Sequence, residues 1–186
     1  MKRNFLIIFL FLCTSLSNSL ALAKDIPFYR LGPGDIIEIN VWEDERLNRQ
    51  IIIPPDGIIS YPFAGDIKAS GRTTAELREI LTERLKGYIQ SPTVSVMLIE
   101  AKSLKAYVIG KVNRPGEYPI ELNTDVMQIL SMAGGLNPFA SSKKILILRR
   151  DGDKIIKIPF NYEEVIRGKH LEQNIILKRG DIVVVP

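Results

Sequence analysis

The sequence predicts an α+β protein made of two small units, a β-rich one crossed by a single amphipathic helix and a second that mixes strands and helices. Three observations predict this class: apolar residues alternate over short segments, two helical patterns follow the capping residues Thr73 and Asp125, and glycine and proline turns separate these segments. The 186 residues are 46% hydrophobic and 25% charged, which is enough apolar material for one or two small cores.

The N-terminus has the pattern of a secretory signal peptide. A basic start precedes an apolar segment at residues 5–12, and Ala21 and Ala23 form a small-residue cleavage site. The apolar segment is much shorter than the ~20 residues of a membrane-spanning helix. We therefore predict a signal peptide over residues 1–23, cleaved after Ala23, and an exported protein. Cys13 directly follows Phe11 and Leu12 of the apolar segment instead of lying at the cleavage point behind small residues, so we expect no lipidation.

The first unit, predicted over residues 24–101, combines strands with one helix. Residues 36–42 alternate as a half-buried strand does. A capping box of Thr73 and Glu76 begins the helix, whose apolar side we extend to Tyr88. The remaining strands are predicted at residues 51–53, 58–61, 66–69 and 93–99.

The second unit, predicted over residues 102–186, has the element order of a β-grasp, a mixed sheet wrapped around one helix. Asp125 caps that helix, and Gly134 and Gly135 stop it. A turn at residues 113–116 joins the first two strands, and a short helix at residues 162–166 precedes the last strand. The strands are predicted at residues 105–112, 117–121, 145–148, 154–158 and 182–185. Both units are therefore α+β.

One short pattern occurs twice, once near the start of each terminal strand. Residues 31–36 and 177–182 share Leu-x-x-Gly-Asp-Ile. We interpret both copies as turns in which Asp35 and Asp181 accept hydrogen bonds from backbone N–H groups. Both aspartates are then structural, although Asp35 is also available to an enzyme.

The ordered set of turn motifs resembles the outer-membrane polysaccharide export family, in which a polysaccharide export domain precedes a soluble-ligand-binding β-grasp (SLBB) domain. The resemblance begins at residues 29–36 and covers nearly the whole predicted mature chain in the family's order. Most of its motif residues read as structural turns: Gly32, Pro33, Gly34, Asp35, Pro55, Asp56, Gly57, Gly110, Val112, Pro115, Gly116, Gly134 and Gly135.

This resemblance implies a role in export of capsular polysaccharide or exopolysaccharide. It implies a homo-oligomeric ring that passes polymer across the envelope and docks on an inner-membrane polysaccharide co-polymerase. Well-known members carry a lipidated cysteine and a C-terminal pore helix, and we expect neither here. We therefore expect a periplasmic ring, associated with the outer membrane, that delivers polymer to a separate outer-membrane channel protein.

Aromatic side chains are the candidates for contact with the polymer, because aromatic faces stack on the apolar faces of sugars. Trp42 ends a strand, Tyr88 lies on the apolar side of the helix, and Tyr107 lies inside a strand. We therefore interpret these three as packing residues. Tyr61 and Phe63 flank Pro62 in a turn. We expect these two to be exposed and to be the possible glycan contacts. Tyr118 is a weaker candidate.

Composition excludes several classes of enzyme. One His and one Cys cannot form a multi-histidine metal site or a zinc ribbon, so we expect no metal and no cofactor. A glycosidase with two carboxylates is a rival, with four candidate residues, but turns explain two of them and we predict no enzyme. The candidates are Asp35, Glu38, Asp44 and Asp56.

Two further alternatives concern the binding partner. A monomeric periplasmic adaptor that binds polysaccharide or another ligand without forming a pore remains open. Basic residues that could guide an acidic polymer lie next to acidic ones, for example Arg149 beside Asp151. Nucleic-acid binding is disfavoured, since cleavage of the signal peptide removes two of the charges behind the net +4.

Overall fold

The first unit is built on a central strand whose alternation of apolar and polar residues buries one face. The computed structural model describes residues 28–186, so the predicted signal peptide, with Ala21 and Ala23, lies outside the described residues. Strand β1 (Ile36–Val41) buries Ile37, Ile39 and Val41. It pairs antiparallel with β2 (Arg49–Ile52) on one side. On the other side it pairs antiparallel with the strand that ends the unit, here called β5 (Val94–Glu100).

A hairpin and a helix complete this unit. Strands β3 (Ile58–Tyr61) and β4 (Gly65–Lys68) pair antiparallel. Helix α1 (Thr74–Leu85) begins at the predicted capping box, in which the Thr73 hydroxyl accepts from Glu76 N at 3.1 Å and the Glu76 carboxylate accepts from Thr73 N at 2.9 Å. The helix buries one face in the core of the unit, through Leu77, Leu81 and Leu85.

The second unit is a five-stranded mixed sheet with one helix against it. The strands are β6 (Lys105–Gly110), β7 (Gly116–Pro119), β8 (Ile145–Asp151), β9 (Lys154–Phe160) and β10 (Ile182–Val185). Their order in the sheet is β7-β6-β10-β8-β9, with β10 parallel to β6 and antiparallel to β8. Helix α2 (Val126–Met132) starts at a capping box on Asp125, and α3 (Tyr162–Ile166) precedes β10.

The predicted class is confirmed: both units are α+β, and each has its own hydrophobic core. Helix α2 contributes Val126, Ile129 and Leu130 to the second core, as its spacing predicts. No helix among residues 28–186 is long and apolar enough to cross a membrane.

Several predicted ends differ from the structure. Helix α1 ends at Leu85, so Tyr88 lies beyond it and its side chain is exposed. Strand β6 ends at Gly110, where φ is +94°, so Val112 lies outside the strand and forms an isolated bridge with Leu136. A left-handed residue cannot continue a strand, and this ends β6 before the predicted position.

Candidate functional site

The first copy of the repeated Leu-x-x-Gly-Asp-Ile turn contains Asp35, which lies beside the segment that joins the first unit to the second. Asp35 is fully buried. Its carboxylate accepts hydrogen bonds from Gly32 N at 2.7 Å, from Ser103 N at 2.8 Å and from the Tyr29 hydroxyl at 2.5 Å. Ser103 lies between the last strand of the first unit and the first strand of the second. Asp35 therefore fixes its own turn and the connection between the units.

The second copy repeats this geometry with Asp181. Asp181 is 1% exposed, and its carboxylate accepts from Lys178 N at 2.8 Å, three residues earlier, as Asp35 does from Gly32 N. The Arg149 guanidinium donates to both carboxylate oxygens of Asp181, at 2.6 to 3.2 Å. Each aspartate accepts hydrogen bonds from backbone N–H groups in a turn before a strand, and a structural role for both stays a prediction.

The two copies of the turn are in contact through Arg179. Its guanidinium donates to Arg30 O at 2.6 Å and to the Tyr29 hydroxyl at 3.3 Å, and it lies 5.7 Å from the centre of the Tyr29 ring. A Cβ atom at Gly32 would lie 2.0 Å from Arg179 Nη1, so a side chain at position 32 would displace this guanidinium. We call Tyr29, Asp35, Ser103 and Arg179 the junction cluster.

The junction cluster raises the pKa of the Tyr29 hydroxyl. Burial, together with the hydrogen bond to the Asp35 carboxylate, raises the pKa of Tyr29 to about 12. The phenol is therefore protonated at neutral pH and can donate to the Asp35 carboxylate there. Sequence reasoning missed this cluster, although the repeated Leu-x-x-Gly-Asp-Ile pattern contains two of its four residues and was the available signal.

The other motif residues of the family pattern are also in turns. At residues 54–57 the Asp56 carboxylate accepts from Ile58 N at 2.9 Å, and Gly57 O accepts from Ala69 N and Ser70 N. The turn after β6 lies against the end of α2, because Asn113 N donates to Gly135 O and Arg114 N donates to Ala133 O. The structure thus brings Gly134 and Gly135 next to the segment that leads to Pro115 and Gly116, and places Pro55 in a separate turn.

The expected exposure of Tyr61 is wrong. Its side chain is 3% exposed, and its hydroxyl donates to Leu47 O at 2.7 Å. Tyr61 ends β3 with its side chain on the core side of the hairpin, on the same face as Ile59, because alternate residues of a strand share a face. We therefore do not retain Tyr61 as a possible glycan contact.

Phe63, by contrast, is exposed and pairs with Tyr88. It has a left-handed backbone with φ of +61°, and its ring centre lies 5.1 Å from that of Tyr88, at an interplanar angle of 34°. The interpretation of Tyr88 as a core residue is wrong, since the chain leaves the helix three residues earlier. The two rings form an exposed aromatic pair.

The prediction that Trp42 is a packing residue is also wrong, because its side chain is exposed. Its side chain is 74% exposed, because β1 ends at Val41 and the chain turns there. Tyr107 and Tyr118 are half-buried. The exposed aromatic candidates among the described residues are thus Trp42, Phe63 and Tyr88, and only Phe63 was selected from the sequence as exposed.

A groove opens beside Trp42. Its volume is about 590 Å³, and six of its eight lining residues are of polar type, although most of the surface that they expose to the groove is apolar. The groove, here called the Trp42 groove, is lined by Asn40, Val41, Trp42, Glu43, Glu45, Asn48, Thr93 and Ser95. A groove of this size lies within the range of about 300 to 1,000 Å³ that is typical of small-molecule sites.

The basic residues that could guide an acidic polymer are largely paired with acids. Lys105 contacts Glu117 at 2.8 Å, Lys143 contacts Glu163 at 3.5 Å, and Arg149 is held by Asp181. Among residues 28–186 there is no group of three or more His, Cys, Asp or Glu side chains placed to hold a metal ion.

The fold and the junction cluster define the class of this protein: it is an α+β protein whose β-rich unit and β-grasp unit are joined by a buried, hydrogen-bonded cluster. Residues 23–99 match the family described as polysaccharide biosynthesis/export protein, and residues 105–159 match the SLBB domain. The chain belongs to the polysaccharide export family, as its ordered turn motifs predict. The exact boundary predicted between residues 101 and 102 stays a prediction.

The names of several curated relatives refer to the export, transport or production of polysaccharides. The chain is 29% identical over 187 residues to the EPS I polysaccharide export outer membrane protein EpsA of Ralstonia nicotianae, covering 87% of this chain and 48% of the relative. It is 29% identical to the polysialic acid transport protein KpsD of Escherichia coli, covering 77% of this chain and 26% of the relative. It is 32% identical to the exopolysaccharide production protein ExoF of Rhizobium meliloti, covering 77% of this chain and 37% of the relative. The chain spans about half or less of the length of these relatives.

Proposed function

We propose that this protein is a periplasmic component of a machine that exports capsular polysaccharide or exopolysaccharide, and that it moves polymer without catalysing a reaction. The observation that carries the proposal is the family order of the two domains along the chain, at residues 23–99 and 105–159. The names of relatives that export EPS I or transport polysialic acid support the class of substrate.

The test of this function is deletion of the gene in the source strain. We expect surface polysaccharide to be lost while polymer or its lipid-linked precursors accumulate inside the cell envelope, and a plasmid copy to restore the surface layer. Normal surface polysaccharide in the deletion strain contradicts the proposal. Incubation of purified polymer with the protein should leave polymer chain length unchanged, and shortening would indicate a glycosidase.

We further propose that the working form is a homo-oligomeric ring. A ring needs a surface on one protomer that is complementary to a different surface on the next, so that successive contacts close. The junction cluster supports this, because a protomer whose two units are tied together presents both surfaces in one fixed relation. Native mass spectrometry of the exported protein tests the ring. A monomer at high concentration, also in the presence of its partners, favours the adaptor alternative.

The proposed partners are an inner-membrane polysaccharide co-polymerase and a separate outer-membrane channel protein. Crosslinking in living cells, with a photoreactive residue placed at exposed positions of either unit, tests both. Crosslinks to one integral protein of each membrane are the expected result. Crosslinks only between copies of this chain would contradict the proposed contacts with both membranes. Fractionation should place the protein in the periplasm in association with the outer membrane.

A further inference from the structure

We infer that the Trp42 groove is a binding subsite for an uncharged sugar residue of the transported polymer. This inference rests on the proposed function, because it identifies where on the chain the polymer is held and which of its sugars is recognised. It concerns a tryptophan that the sequence pattern assigned to packing and whose surroundings only the folded chain shows.

The first observation is the placement of the Trp42 side chain. The largest apolar side chain of this protein is 74% exposed, although large aromatic side chains are normally mostly buried. Its backbone is fixed, since Trp42 N donates to Thr93 O at 3.0 Å. The next residue, Glu43, has a φ of +64°, a conformation that costs energy for a residue other than glycine. The fold thus holds an indole face in solvent by means of a strained turn.

The second observation is the ring of polar groups around that indole. Asn48 Oδ1 accepts from Val41 N at 2.9 Å, which fixes the amide plane, and the Asn48 amide nitrogen has no hydrogen-bond partner within residues 28–186. Asn40 donates to Glu38 at 2.9 Å through one of its two N–H groups. Thr93 and Ser95 also line the groove and carry hydroxyl groups, and Ser95 is paired with Asn40 across β1 and β5. An apolar platform beside fixed amide and hydroxyl groups suits the two faces of a sugar ring.

The third observation is charge. The groove is lined by the carboxylates of Glu43 and Glu45, and no Lys or Arg is among its lining residues. The nearby Arg46 guanidinium is engaged by the Asp44 carboxylate at 2.9 Å and 3.0 Å. Carboxylates accept hydrogen bonds from sugar hydroxyls and repel the carboxylate of an acidic sugar. The groove therefore favours an uncharged sugar.

The same chemistry disfavours a protein partner at this groove. The cores of protein interfaces are depleted of charged residues, whereas two glutamates and four other polar side chains line this groove around one aromatic ring. Its volume of about 590 Å³ suits one or two sugar rings. We therefore assign the groove to the polymer itself.

Trp42 is the single tryptophan of the chain, so its fluorescence reports on this groove alone. The probes are short fragments released by mild acid from the surface polysaccharide of the source strain, separated by anion exchange into uncharged and acidic fractions. Titration of the full-length exported protein with the uncharged fraction should shift the Trp42 emission to shorter wavelength, since stacking removes water from the indole. The acidic fraction should bind more weakly.

Calorimetry of variants measures the contribution of the ring. Trp42→Ala should bind the uncharged fragments about tenfold more weakly, which corresponds to loss of one aromatic stacking contact, and Trp42→Phe should recover part of the affinity. Phe139→Ala is the matched control, because Phe139 is 79% exposed and lies in the other unit. That variant should bind as the unmodified protein does.

Three results would overturn the inference: no emission shift with either fraction, tighter binding of the acidic fraction, or equal affinity of Trp42→Ala and the unmodified protein. The ratio of the affinities of the unmodified protein and Trp42→Ala for the uncharged fragments tests this inference. The surface polysaccharide of the deletion strain tests the proposed function. Lost surface polysaccharide on deletion together with unchanged binding by Trp42→Ala would reject the subsite and leave the export role standing.

Discussion

At the scale of single residues, Asp35 has a large predicted effect on stability. Its buried carboxylate accepts hydrogen bonds from the backbone of Gly32, the backbone of Ser103 and the hydroxyl of Tyr29. Removal of a buried acceptor leaves its donors without partners, and each such donor costs about 1 to 3 kcal/mol. The position therefore matters for folding.

We expect Asp35→Ala to lower the free energy of unfolding by about 3 kcal/mol, measured by urea denaturation. Asp56→Ala is the control. The Asp56 carboxylate also accepts from a backbone N–H in a turn, but the residue is exposed, so water replaces the lost bond and the cost should stay below about 1 kcal/mol. Equal effects of the two substitutions would contradict the role given to Asp35.

Tyr61 provides a prediction about pH. Burial raises the pKa of its hydroxyl to about 12, above the value of 10.0 for an unperturbed phenol. Between these two values the unfolded chain has lost the proton while the folded chain keeps it, so the stability contributed by this group is complete below pH 10 and falls as pH rises towards 12. We expect Tyr61→Phe to be less stable than the unmodified protein by about 1 kcal/mol at neutral pH, because it lacks the bond to Leu47 O.

The difference between Tyr61→Phe and the unmodified protein should shrink above pH 10. Denaturation at a series of pH values measures it, and absorbance of the ionised phenol at alkaline pH measures the pKa directly. A difference that stays constant up to pH 12 would contradict a raised pKa. Tyr118→Phe is the comparison, since that tyrosine is less buried.

Residue identities alone could not separate Tyr61 from Phe63. The two flank the same proline, and both are aromatic. Tyr61 still belongs to β3 and follows its alternation into the core, whereas Phe63 sits in the hairpin turn in a left-handed conformation. The exact end of the strand decides exposure, and a turn signal locates that end only to within a residue or two.

At the scale of elements, the end of β6 depends on Gly110. Its φ is +94°, and a Cβ at this position would lie 2.0 Å from the backbone oxygen of Val185 in β10. Strand β10 lies in the middle of the sheet, between β6 and β8. A side chain at Gly110 would therefore both strain its own backbone and push on a central strand.

We expect Gly110→Ala to lower the stability of the second unit by about 2 to 4 kcal/mol, followed by hydrogen exchange of the β10 amides. Gly116→Ala is the matched control, since Gly116 begins the neighbouring strand β7, has no positive φ and has open space where a Cβ would go. The stability of the Gly116→Ala variant should differ from that of the unmodified protein by less than about 1 kcal/mol. A similar loss in both variants would show that the close approach to Val185 is not the cause.

Most elements could be predicted because their signals are local. The capping boxes at Thr73 and Asp125 start α1 and α2 where the sequence indicates, and α3 has the predicted bounds. The end of α1 could not be predicted as well, because apolar residues continue at helical spacing past Leu85 to Tyr88. Beyond Leu85 the chain turns, with Tyr88 N and Ile89 N both donating to Leu85 O, and this turn exposes Tyr88 while Ile89 still packs against the core.

At the scale of the whole molecule, Arg179 connects the two units. It comes from the turn before β10 and donates to Arg30 O and the Tyr29 hydroxyl in the first unit. The sequence could predict both turns, because the same six-residue pattern recurs. It could not predict that the two copies meet, since no local rule relates residues separated by about 150 positions along the chain.

We expect Arg179→Ala to let the two units reorient independently while each keeps its fold. Amide ¹⁵N relaxation measures this: the unmodified protein should give one rotational correlation time for both units, and the variant should give two. Lys178→Ala is the control, because Lys178 is the exposed neighbour in the same turn and makes its hydrogen bonds there through its backbone N–H and C=O. A single correlation time in both variants would show that Asp35 and Ser103 suffice to hold the units together.

The junction cluster also determines how the protein would respond to a pulling force. A polymer that moves past one unit drags on it, and a slack linker would absorb that drag as a swing of one unit. Here the linker residue Ser103 is bonded to a buried carboxylate, and Arg179 crosses from one turn to the other. Any load on the β-grasp unit must therefore be shared with the β-rich unit until these bonds break, so the molecule should yield at this joint before either sheet unravels.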